Sequence, residues 1–318
     1  MITGGLGFIG SNLAHRCLEL GAHVAVTDNL DPHSGGSRYN VADVASSLEL
    51  VLADMLDFDA LVEHVARRDV VFNCAASTSH AFSMREPWSD LDVNGRGVVN
   101  LLEALRRFNP SARLVHVGTS TQLGPLVYEP ADENHPEFPT DIYSANKSAS
   151  EKYVLVYTRA YGLPATVLRL SNVYGPRACI RSPEFTFNNY FVGLALQDRD
   201  VTVYGDGAQL RNVLYVDDAV EALVVAAQSD RGCGQTFFAV GDRHYSVAEI
   251  AAATVEAMGR GRVAHVPWPP ERESVEIGNA VISNAKMRAV FAWEPKIEFA
   301  EGLRRTRAYF EPCLHEYV

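Results

Sequence analysis

Thr3-Gly4-Gly5-Leu6-Gly7-Phe8-Ile9-Gly10 stands at the very start of the chain and decides its fold. An apolar helical pattern follows it through Leu18, and Gly21 ends that helix. A strand that turns sharply into a helix can bring backbone N–H groups and the helix N-terminus up to a pyrophosphate. Glycine permits this approach because a Cβ atom would collide with the ligand or forbid the turn. The stretch therefore predicts a dinucleotide site at Gly4, Gly7, Phe8, Ile9 and Gly10.

A second strand, His23–Thr27, follows the helix and ends at Asp28. An acid about 20 residues past the glycines accepts hydrogen bonds from the ribose 2′-hydroxyl and repels a 2′-phosphate. This frame favours NAD over NADP. Only Met1 and Ile2 precede the glycine turn, so the first strand is expected to be nearly absent. We expect either that the sequence starts inside the native chain or that ordered residues upstream are missing.

Composition limits the classes of function. With 318 residues, 47% of them hydrophobic, the chain can bury a large core and is expected to form two domains. The net charge is −11 without a basic stripe, which disfavours nucleic-acid binding. The five cysteines are scattered without CxxC pairs, which indicates reduced thiols of a cytoplasmic protein and no metal site. No apolar run reaches the ~18 residues of a membrane span, and nothing resembles a signal peptide, so no membrane association is expected.

Strand and helix signals alternate along the chain. Continuous apolar strands are predicted at 48–53, 70–73, 114–117 and 165–170, and helices start at Asp57, end at Arg107 and span Tyr143–Tyr161. This rhythm predicts an α/β fold with a doubly wound parallel Rossmann sheet and a smaller C-terminal α/β substrate domain. We assign residues 1–173, plus about 211–232, to the NAD-binding domain. Residues 174–210 and 233–318 are assigned to the substrate domain.

Tyr143 and Lys147 are four residues apart in the long predicted helix, so they share one face. A nearby cation lowers the pKa of a phenol from about 10 towards the working range, which makes Tyr143 a candidate general base. The alternative is an ordinary amphipathic helix. Thr119 lies at the carboxyl end of a predicted strand, where ligands of such sheets bind. It is a candidate for hydrogen bonding to a substrate oxygen, and the alternative is a turn capped by its hydroxyl.

The glycine turn with Asp28, then Thr119, then the Tyr143 and Lys147 pair follow one another along the chain. In this order they resemble the motifs of the extended short-chain dehydrogenase/reductases of the nucleotide-sugar epimerase and dehydratase group. The resemblance covers nearly the whole sequence. The motifs that carry it are Thr3–Gly10, Asp28-Asn29-Leu30, Asp54, Asn73-Cys74-Ala75-Ala76, Asp92-Val93-Asn94-Gly95, Thr119, Tyr143–Lys147, Ser171–Arg177 and Gly205–Arg211.

The resemblance implies NAD as the cofactor, a nucleotide sugar as the substrate and a homodimer formed through the helices that end near Arg107 and Tyr161. It implies Thr119, Tyr143 and Lys147 as the catalytic set, and Tyr143 and Lys147 also as cofactor contacts. Further implied cofactor contacts are Asn29, Asp54, Met55, Ala75, Ala76 and Asn94. Implied substrate contacts are Ser120, Thr121, Asn172, Asn188, Tyr204 and Arg211. For Asn172 and Tyr204, simple packing or capping stays open as the alternative.

The residues after Thr119 separate the members of this group. Sugar dehydratases carry an Asp-Glu pair there, and UDP-glucuronate decarboxylases carry a Glu at the second position. This chain has Ser120 and Thr121, neither of which acts as a carboxylate acid or base. The simplest remaining chemistry is 4-epimerisation, in which C4 of the sugar is oxidised, the 4-keto sugar rotates in the site and C4 is reduced from the other face.

The Arg177–Pro183 loop resembles that of UDP-glucuronate 4-epimerases, in which an arginine meets the uronate carboxylate. A planar guanidinium suits bidentate carboxylate recognition, so Arg181 predicts a UDP-hexuronate substrate. The alternatives are a solvated arginine or one paired with Glu184. A neutral-sugar 4-epimerase or another nucleotide-sugar oxidoreductase also stays open. A non-catalytic NAD sensor is disfavoured because such proteins typically lose the tyrosine or the lysine. His80 is predicted to orient or pack near the substrate.

Overall fold

The computed structural model describes residues 1–269 and 276–318. Its centre is a seven-stranded sheet in which all neighbours are parallel. In chain order these strands are β1 (Ile2–Thr3), β2 (Val24–Asp28), β3 (Leu48–Leu52), β4 (Val70–Asn73), β5 (Arg113–Thr119), β6 (Ala165–Leu170) and a strand at Gln235–Ala239. Across the sheet the first six run in the order β6-β5-β4-β1-β2-β3, and Gln235–Ala239 pairs with β6.

The helices cover both faces of this sheet, which confirms the predicted doubly wound α/β fold. On one side α1 (Phe8–Glu19) packs against a later helix at Val216–Ala227, and on the other α2 (Phe58–Val65) packs against the helix Gly97–Phe108. Helix α2 is followed in the chain by α3 (His80–Arg85) and α4 (Pro87–Leu91). The helix Gly97–Phe108 is α5, and Ile142–Tyr161 is α6. A π-helical segment, Asp92–Arg96, joins α4 to α5. Parallel sheets need this double cover because their strands are apolar on both faces.

The first strand is only two residues long, as expected, yet it occupies the middle of the sheet. Ile2 is paired with Val26 on one side and with Phe72 on the other. The strand order therefore reverses between β1 and β4. In open α/β sheets, such a reversal opens a crevice beyond the carboxyl ends of the strands, and ligands bind there.

A second group of elements follows β6. It contains β7 (Asn172–Tyr174), α7 (Phe187–Leu196), β8 (Asp200–Tyr204), β9 (Leu210–Tyr215), α8 (Val216–Ala227), β10 (Gln235–Ala239), β11 (His244–Ser246), α9 (Val247–Met258), β12 (Arg262–Val266), α10 (Ala285–Phe291) and α11 (Phe299–Phe310). Two small sheets form here, one in the order β11-β9-β7 and one from β12 and β8.

Two elements differ from the sequence-based division of the chain. Strand β10, which we assigned to the substrate domain, is the edge strand of the large sheet, with Phe237 opposite Leu168. Its apolar side chains are covered by α10, where the ring of Phe291 lies 4.9 Å from that of Phe237. Strand β9, which we assigned to the NAD-binding domain, does not join the large sheet and pairs with β7 and β11. Helix α8 does return to the large sheet as expected, where it packs on α1.

Helix α6 carries the predicted catalytic pair, and its ends are defined by local hydrogen bonds. The side chain of Asp141 accepts a hydrogen bond from the backbone N–H of Ser144 at 2.8 Å. Gly162, in the left-handed region with a φ of 74°, ends the helix. A capped helix start holds the first turn, which contains Tyr143, in a defined position.

In residues 1–269 and 276–318, no helix combines the length and the apolar character that crossing a bilayer requires. The same residues contain no group of three or more histidine, cysteine, aspartate or glutamate side chains arranged to hold a metal ion. The five cysteines are free thiols.

Candidate active site

A cavity of about 410 Å³ lies beyond the carboxyl ends of the central strands, where the strand order reverses between β1 and β4. Most of the predicted site residues line it. These are Gly4, Gly7, Phe8, Ile9, Gly10, Asp28, Asn29, Asp54, Met55, Ala75, Ala76, Thr119, Ser120, Thr121, Tyr143, Lys147 and Asn172. The folded chain therefore brings the glycine turn, the acid of the second strand and the Tyr–Lys pair to one space.

The glycine turn is packed too tightly for side chains. Gly4 has a φ of +64°, and a Cβ atom there would lie 2.7 Å from the backbone nitrogen of Ala75. A Cβ atom on Gly10 would lie 2.3 Å from the carbonyl oxygen of Gly4. The start of α1 is thus pressed against the turn, which leaves backbone N–H groups facing the cavity for an anionic ligand.

Asp28 lines the end of the cavity where we expect the adenosine of the cofactor. Its two carboxylate oxygens accept hydrogen bonds from the backbone N–H groups of Leu6 at 3.0 Å and Leu30 at 2.8 Å. Burial raises the pKa of Asp28, and these two N–H groups oppose that shift. Asn29 donates a hydrogen bond to Asp54 at 2.9 Å, so a second acid is held nearby. Among the described residues that line the cavity there is no arginine, and a 2′-phosphate would meet carboxylates here. The carboxylates of Asp28 and Asp54, without an arginine beside them, fit the free ribose hydroxyls of NAD.

Tyr143, Lys147 and Thr119 meet at the other end of the cavity. Tyr143 and Thr119 line the same cavity, and the Thr119 side chain lies close enough to Tyr143 to lower its pKa. The Nζ of Lys147 donates a hydrogen bond to the carbonyl oxygen of Val117 at 2.7 Å, and burial lowers the pKa of this lysine to about 8. Both side chains are almost completely buried. The arrangement places a phenol, an amine and a hydroxyl around one space.

The structure does not show the expected lowering of the Tyr143 pKa by Lys147. Burial raises the pKa of Tyr143 above its ordinary value, the Thr119 side chain opposes this rise, and the charges of Asp90 and Asp141 raise the pKa further. The expected lowering of the pKa is not observed because burial penalises the phenolate and the Lys147 ammonium group is directed at the carbonyl oxygen of Val117.

Comparisons with known proteins place these features in a family. A model of the family described as GDP-mannose 4,6 dehydratase matches residues 1–306. The UDP-glucose 4-epimerase of Mycolicibacterium smegmatis is 33% identical over 98% of this chain and 97% of its own length. The dTDP-glucose 4,6-dehydratase of Streptomyces niveus is 30% identical over 98% of this chain and 94% of its own. The crystal structure of Thermus thermophilus UDP-glucose 4-epimerase in complex with NAD is 32% identical, covers 98% of both chains and has a TM-score of 0.86.

The chain belongs to the nucleotide-sugar epimerase and dehydratase family. Because this family contains both reaction classes, membership shows an enzyme fold of this kind and leaves the reaction to the residues of the site. In this member, the two positions after Thr119 carry hydroxyl groups. The Thr121 hydroxyl lies 3.1 Å from that of Thr119 and accepts a hydrogen bond from Ser144 at 3.0 Å.

Five predicted site residues are not among the described residues that line the cavity: Asn94, Arg181, Asn188, Tyr204 and Arg211. Asn94 is buried in the π-helical segment and donates to the carbonyl oxygen of Ser77 at 2.8 Å, so it holds the backbone that follows β4. Asn188 donates to the carbonyl oxygen of Asn172 at 3.2 Å and stands behind it. The cofactor or substrate contacts of all five stay predictions.

The remaining three of these residues lie further out. Arg211 forms an ion pair with Glu276 at 2.6 Å, and the Tyr204 ring is tilted against Trp268 with centroids 5.3 Å apart. Arg181 is exposed. Its neighbours in the chain, Cys179 and Pro183, do line the cavity.

Sequence reasoning missed part of the lining. Gly35 and the segment 183–187 enter the cavity wall from loops that carry no local signal of their role. His80 also lines the cavity. Its Nδ1 lies 2.7 Å from an oxygen of Asp141, and its ring is edge-on to Tyr143 with centroids 4.8 Å apart. The orienting or packing role predicted for His80 agrees with these contacts.

Proposed function

We propose that this chain is an NAD-dependent nucleotide-sugar 4-epimerase. The observation that carries the proposal is the pair of hydroxyl side chains, Ser120 and Thr121, beside the Tyr143 and Lys147 pair. Elimination of water from the sugar needs an acid and a base next to C5 and C6, and neither hydroxyl supplies one at neutral pH. Removal and return of hydride at C4 needs only the cofactor and one proton acceptor.

The charges at the sugar end of the cavity support this reading. Glu184 is the one glutamate among the described lining residues, and it is paired with Arg85 at 2.9 Å. The lining aspartates, Asp28, Asp31 and Asp54, belong to the adenosine end. A carboxylate free to act as a second acid or base beside Tyr143 is therefore not among the described lining residues.

In the proposed mechanism, bound NAD supplies a hydride acceptor and donor. Thr119 holds the C4 oxygen of the sugar by a hydrogen bond, and Tyr143 accepts the proton of the C4 hydroxyl as the hydride leaves. Lys147 stabilises the phenolate form of Tyr143 once its ammonium group turns from the Val117 carbonyl towards the cofactor. After the 4-keto sugar has turned over, Tyr143 returns the proton and the opposite C4 configuration results.

For the nucleotide we propose uridine diphosphate, because the chain is similar to UDP-glucose 4-epimerases. Asn172 and Arg211 would hold the diphosphate, Tyr204 the base, and Asn188 would fix the position of Asn172. Arg211 is paired with Glu276, so diphosphate binding would replace that carboxylate with the phosphate oxygens.

The sugar has two candidates. Similarity to UDP-glucose 4-epimerases favours a neutral hexose, whereas Arg181 favours UDP-glucuronate. Arg181 is exposed between two stretches that line the cavity, and a guanidinium from this loop would form a charge-assisted bond to a C5 carboxylate. Such a bond contributes roughly 1.5–3 kcal/mol, so Arg181→Ala would lower kcat/KM for the uronate by about 10- to 150-fold. Unchanged kinetics in this variant, or UDP-glucose turning over as fast as the uronate, would leave the neutral hexose as the substrate.

A homodimer is also part of the proposal. The surfaces of α5 and α6 expose the apolar side chains of Phe108, Val156 and Tyr161, each at least half exposed. Sedimentation at several concentrations tests this, and a monomer throughout would contradict it. The cytoplasmic location stays a prediction, with which the free cysteines agree.

The reaction is tested by incubating the purified chain with a panel of nucleotide sugars that includes uronates and neutral hexoses. Proton NMR then reports the configuration at C4. Conversion to the C4 epimer that disappears in Tyr143→Phe is the expected result. A 4-keto-6-deoxy product or a pentose formed with loss of CO₂ would contradict the proposal.

A further inference from the structure

The imidazole of His80 lies between a carboxylate and the cavity. Its Nδ1 is 2.7 Å from Oδ2 of Asp141. His80 lines the cavity with a side chain that is 42% exposed, whereas the Asp141 side chain is 14% exposed and is not among the described lining residues. The His80 ring is edge-on to Tyr143, with centroids 4.8 Å apart, so it stands next to the proposed catalytic base.

Asp141 decides which nitrogen of His80 carries the proton. Burial raises the pKa of Asp141, but its hydrogen bond with His80, the charge of His80 and the Ser144 contacts hold that pKa below its usual range. An ionised carboxylate only accepts hydrogen bonds, so Nδ1 of His80 is the donor. In residues 1–269 and 276–318, Nε2 of His80 has no hydrogen-bond partner. In the neutral ring this nitrogen is an acceptor left for a ligand in the cavity.

The pair formed by Asp141 and His80 has no net positive charge. With a neutral ring it carries one negative charge, and with a protonated ring the two charges cancel. A carboxylate on the sugar would face an acceptor with a second carboxylate behind it, which opposes binding. A sugar hydroxyl has an O–H to donate and satisfies the same nitrogen. The geometry at His80 therefore favours a hydroxyl over a carboxylate.

The other charges at this end of the cavity do not provide a cation for a sugar carboxylate. Lys147 is the one lysine among the described lining residues, none of which is an arginine, and its ammonium group donates to the carbonyl oxygen of Val117 at 2.7 Å. Glu184 lines the cavity, whereas its partner Arg85 does not. Arg181 is exposed and is not among the described lining residues either. The described lining therefore suits an uncharged sugar.

We propose that His80 is a specificity-determining residue that accepts a hydrogen bond from a hydroxyl group of the sugar and disfavours a carboxylate there. Asp141 is its positioning residue, because it fixes the tautomer of the ring and adds a negative charge behind it. This assignment rests on the proposed function, in which a nucleotide sugar lies beside Tyr143. Of the two sugar candidates it selects the neutral hexose. Arg181 is then a solvated arginine of its loop.

Asp141→Asn changes both the tautomer and the charge while it keeps the cap of α6. Oδ1 of Asp141 accepts a hydrogen bond from the backbone N–H of Ser144 at 2.8 Å, and asparagine caps helices as well as aspartate does. With the amide oxygen held in that place, the amide nitrogen faces Nδ1 of His80 and donates to it. Nε2 then carries the proton, and the pair has lost one negative charge. A sugar carboxylate would find a donor there.

Calorimetric titration of the NAD-loaded protein with UDP-glucose and with UDP-glucuronate measures this preference. Tyr143→Phe serves as the parent, so that turnover does not change the ligand. The parent should bind UDP-glucose about tenfold more tightly than the uronate, and Asp141→Asn should shift the ratio of the two Kd values towards the uronate by about tenfold. Asp57→Asn changes the capping aspartate of α2, outside the cavity, and should leave the ratio unchanged. A merely structural role of Asp141 would alter both Kd values together.

Two substitutions of His80 in the same parent test the histidine itself. Asparagine places a polar group near the position of Nδ1 and none near Nε2, whereas the longer glutamine reaches the position of Nε2. His80→Asn should bind UDP-glucose about tenfold more weakly, the size of one hydrogen bond, and His80→Gln should recover most of the affinity. Among UDP-glucose analogues that lack a single hydroxyl, the one that binds the parent weakly but His80→Asn as well as UDP-glucose does identifies the hydroxyl group.

An unchanged ratio in Asp141→Asn, or equal affinity of His80→Asn and the parent for UDP-glucose, would overturn the role of His80. Either result together with C4 epimerisation by the wild type, seen by NMR, removes this role and retains the proposed function. A wild type that makes no C4 epimer, while Asp141→Asn shifts the ratio as expected, removes the function and retains His80 as a sugar contact. Binding of neither nucleotide sugar would remove both.

Discussion

Arg169 and Glu151 form a buried ion pair that joins β6 to α6, the helix that carries the proposed catalytic residues. The Nε and Nη2 atoms of Arg169 lie 2.8 and 2.6 Å from the two carboxylate oxygens of Glu151. Glu151 is four residues beyond Lys147 and eight beyond Tyr143 on the same helix. The two-point contact therefore fixes how far α6 is turned about its own axis, and with it where Tyr143 stands.

Removing the arginine of this pair should destabilise the protein strongly. Arg169→Met leaves the buried carboxylate of Glu151 without its main partner, so we expect the free energy of unfolding to fall by about 3–5 kcal/mol. Urea denaturation followed by circular dichroism measures this. Arg304→Met breaks a pair with Glu301 on the surface of α11 and should change stability little. Similar midpoints for the two variants would contradict the role of the buried pair.

Loss of the Asp28 carboxylate should weaken NAD binding. Asp28→Ala removes the acceptor for the ribose hydroxyls and the support of the Leu6 and Leu30 N–H groups. Bonds to a charged acceptor contribute roughly 1.5–3 kcal/mol, so the Kd for NAD should rise about 10- to 150-fold. Discrimination against NADP should shrink at the same time. Calorimetric titration tests this, with Asp59→Ala on the exposed face of α2 as the control. Tighter binding of NADP than of NAD by the wild type would contradict our reading of Asp28.

Replacing the proposed base should affect turnover and leave binding intact. Tyr143→Phe keeps the ring that packs beside His80 and removes the phenol oxygen. Turnover should fall by about 10²–10⁴-fold, as is typical of losing a general base. The Kd values for NAD and for the nucleotide sugar should stay close to those of the wild type. A normal rate in this variant would place the chemistry elsewhere in the cavity.

His116 should make the protein sensitive to acid. It is completely buried, and burial followed by the charge of Lys147 holds its pKa well below the ordinary value. Below about pH 6.5 the imidazole in the unfolded chain binds a proton that the folded chain refuses, so the free energy of unfolding falls as the pH drops. Urea titrations between about pH 7.5 and pH 5.5, on either side of that value, should show this loss. The loss should be smaller in His116→Asn and unchanged in His23→Gln. A wild-type slope in His116→Asn would assign the acid sensitivity to other groups.

Local features of the sequence were sufficient to predict which residues line the cavity at the glycine turn, at Asp28 and at the Tyr143 and Lys147 pair. The glycine turn, Asp28 and the four-residue spacing of Tyr143 and Lys147 each depend on a few neighbouring residues. Turn geometry and helix periodicity are short-range properties, so they could be predicted without knowledge of the rest of the chain. The alternation of apolar strands and helices predicted the parallel doubly wound sheet for the same reason.

Only the tertiary structure decided which distant groups of the chain meet. His80 and Asp141 are 61 residues apart, Arg211 and Glu276 are 65 apart, and strand β10 joins the sheet beside β6 from a stretch assigned elsewhere. Arg181 and His80 both follow motifs of the family, yet among the described residues it is the histidine that lines the cavity. The raised pKa of Tyr143 likewise depends on complete burial. Burial and long-range hydrogen bonds are produced by the packing of the whole chain, and no short stretch of sequence contains them.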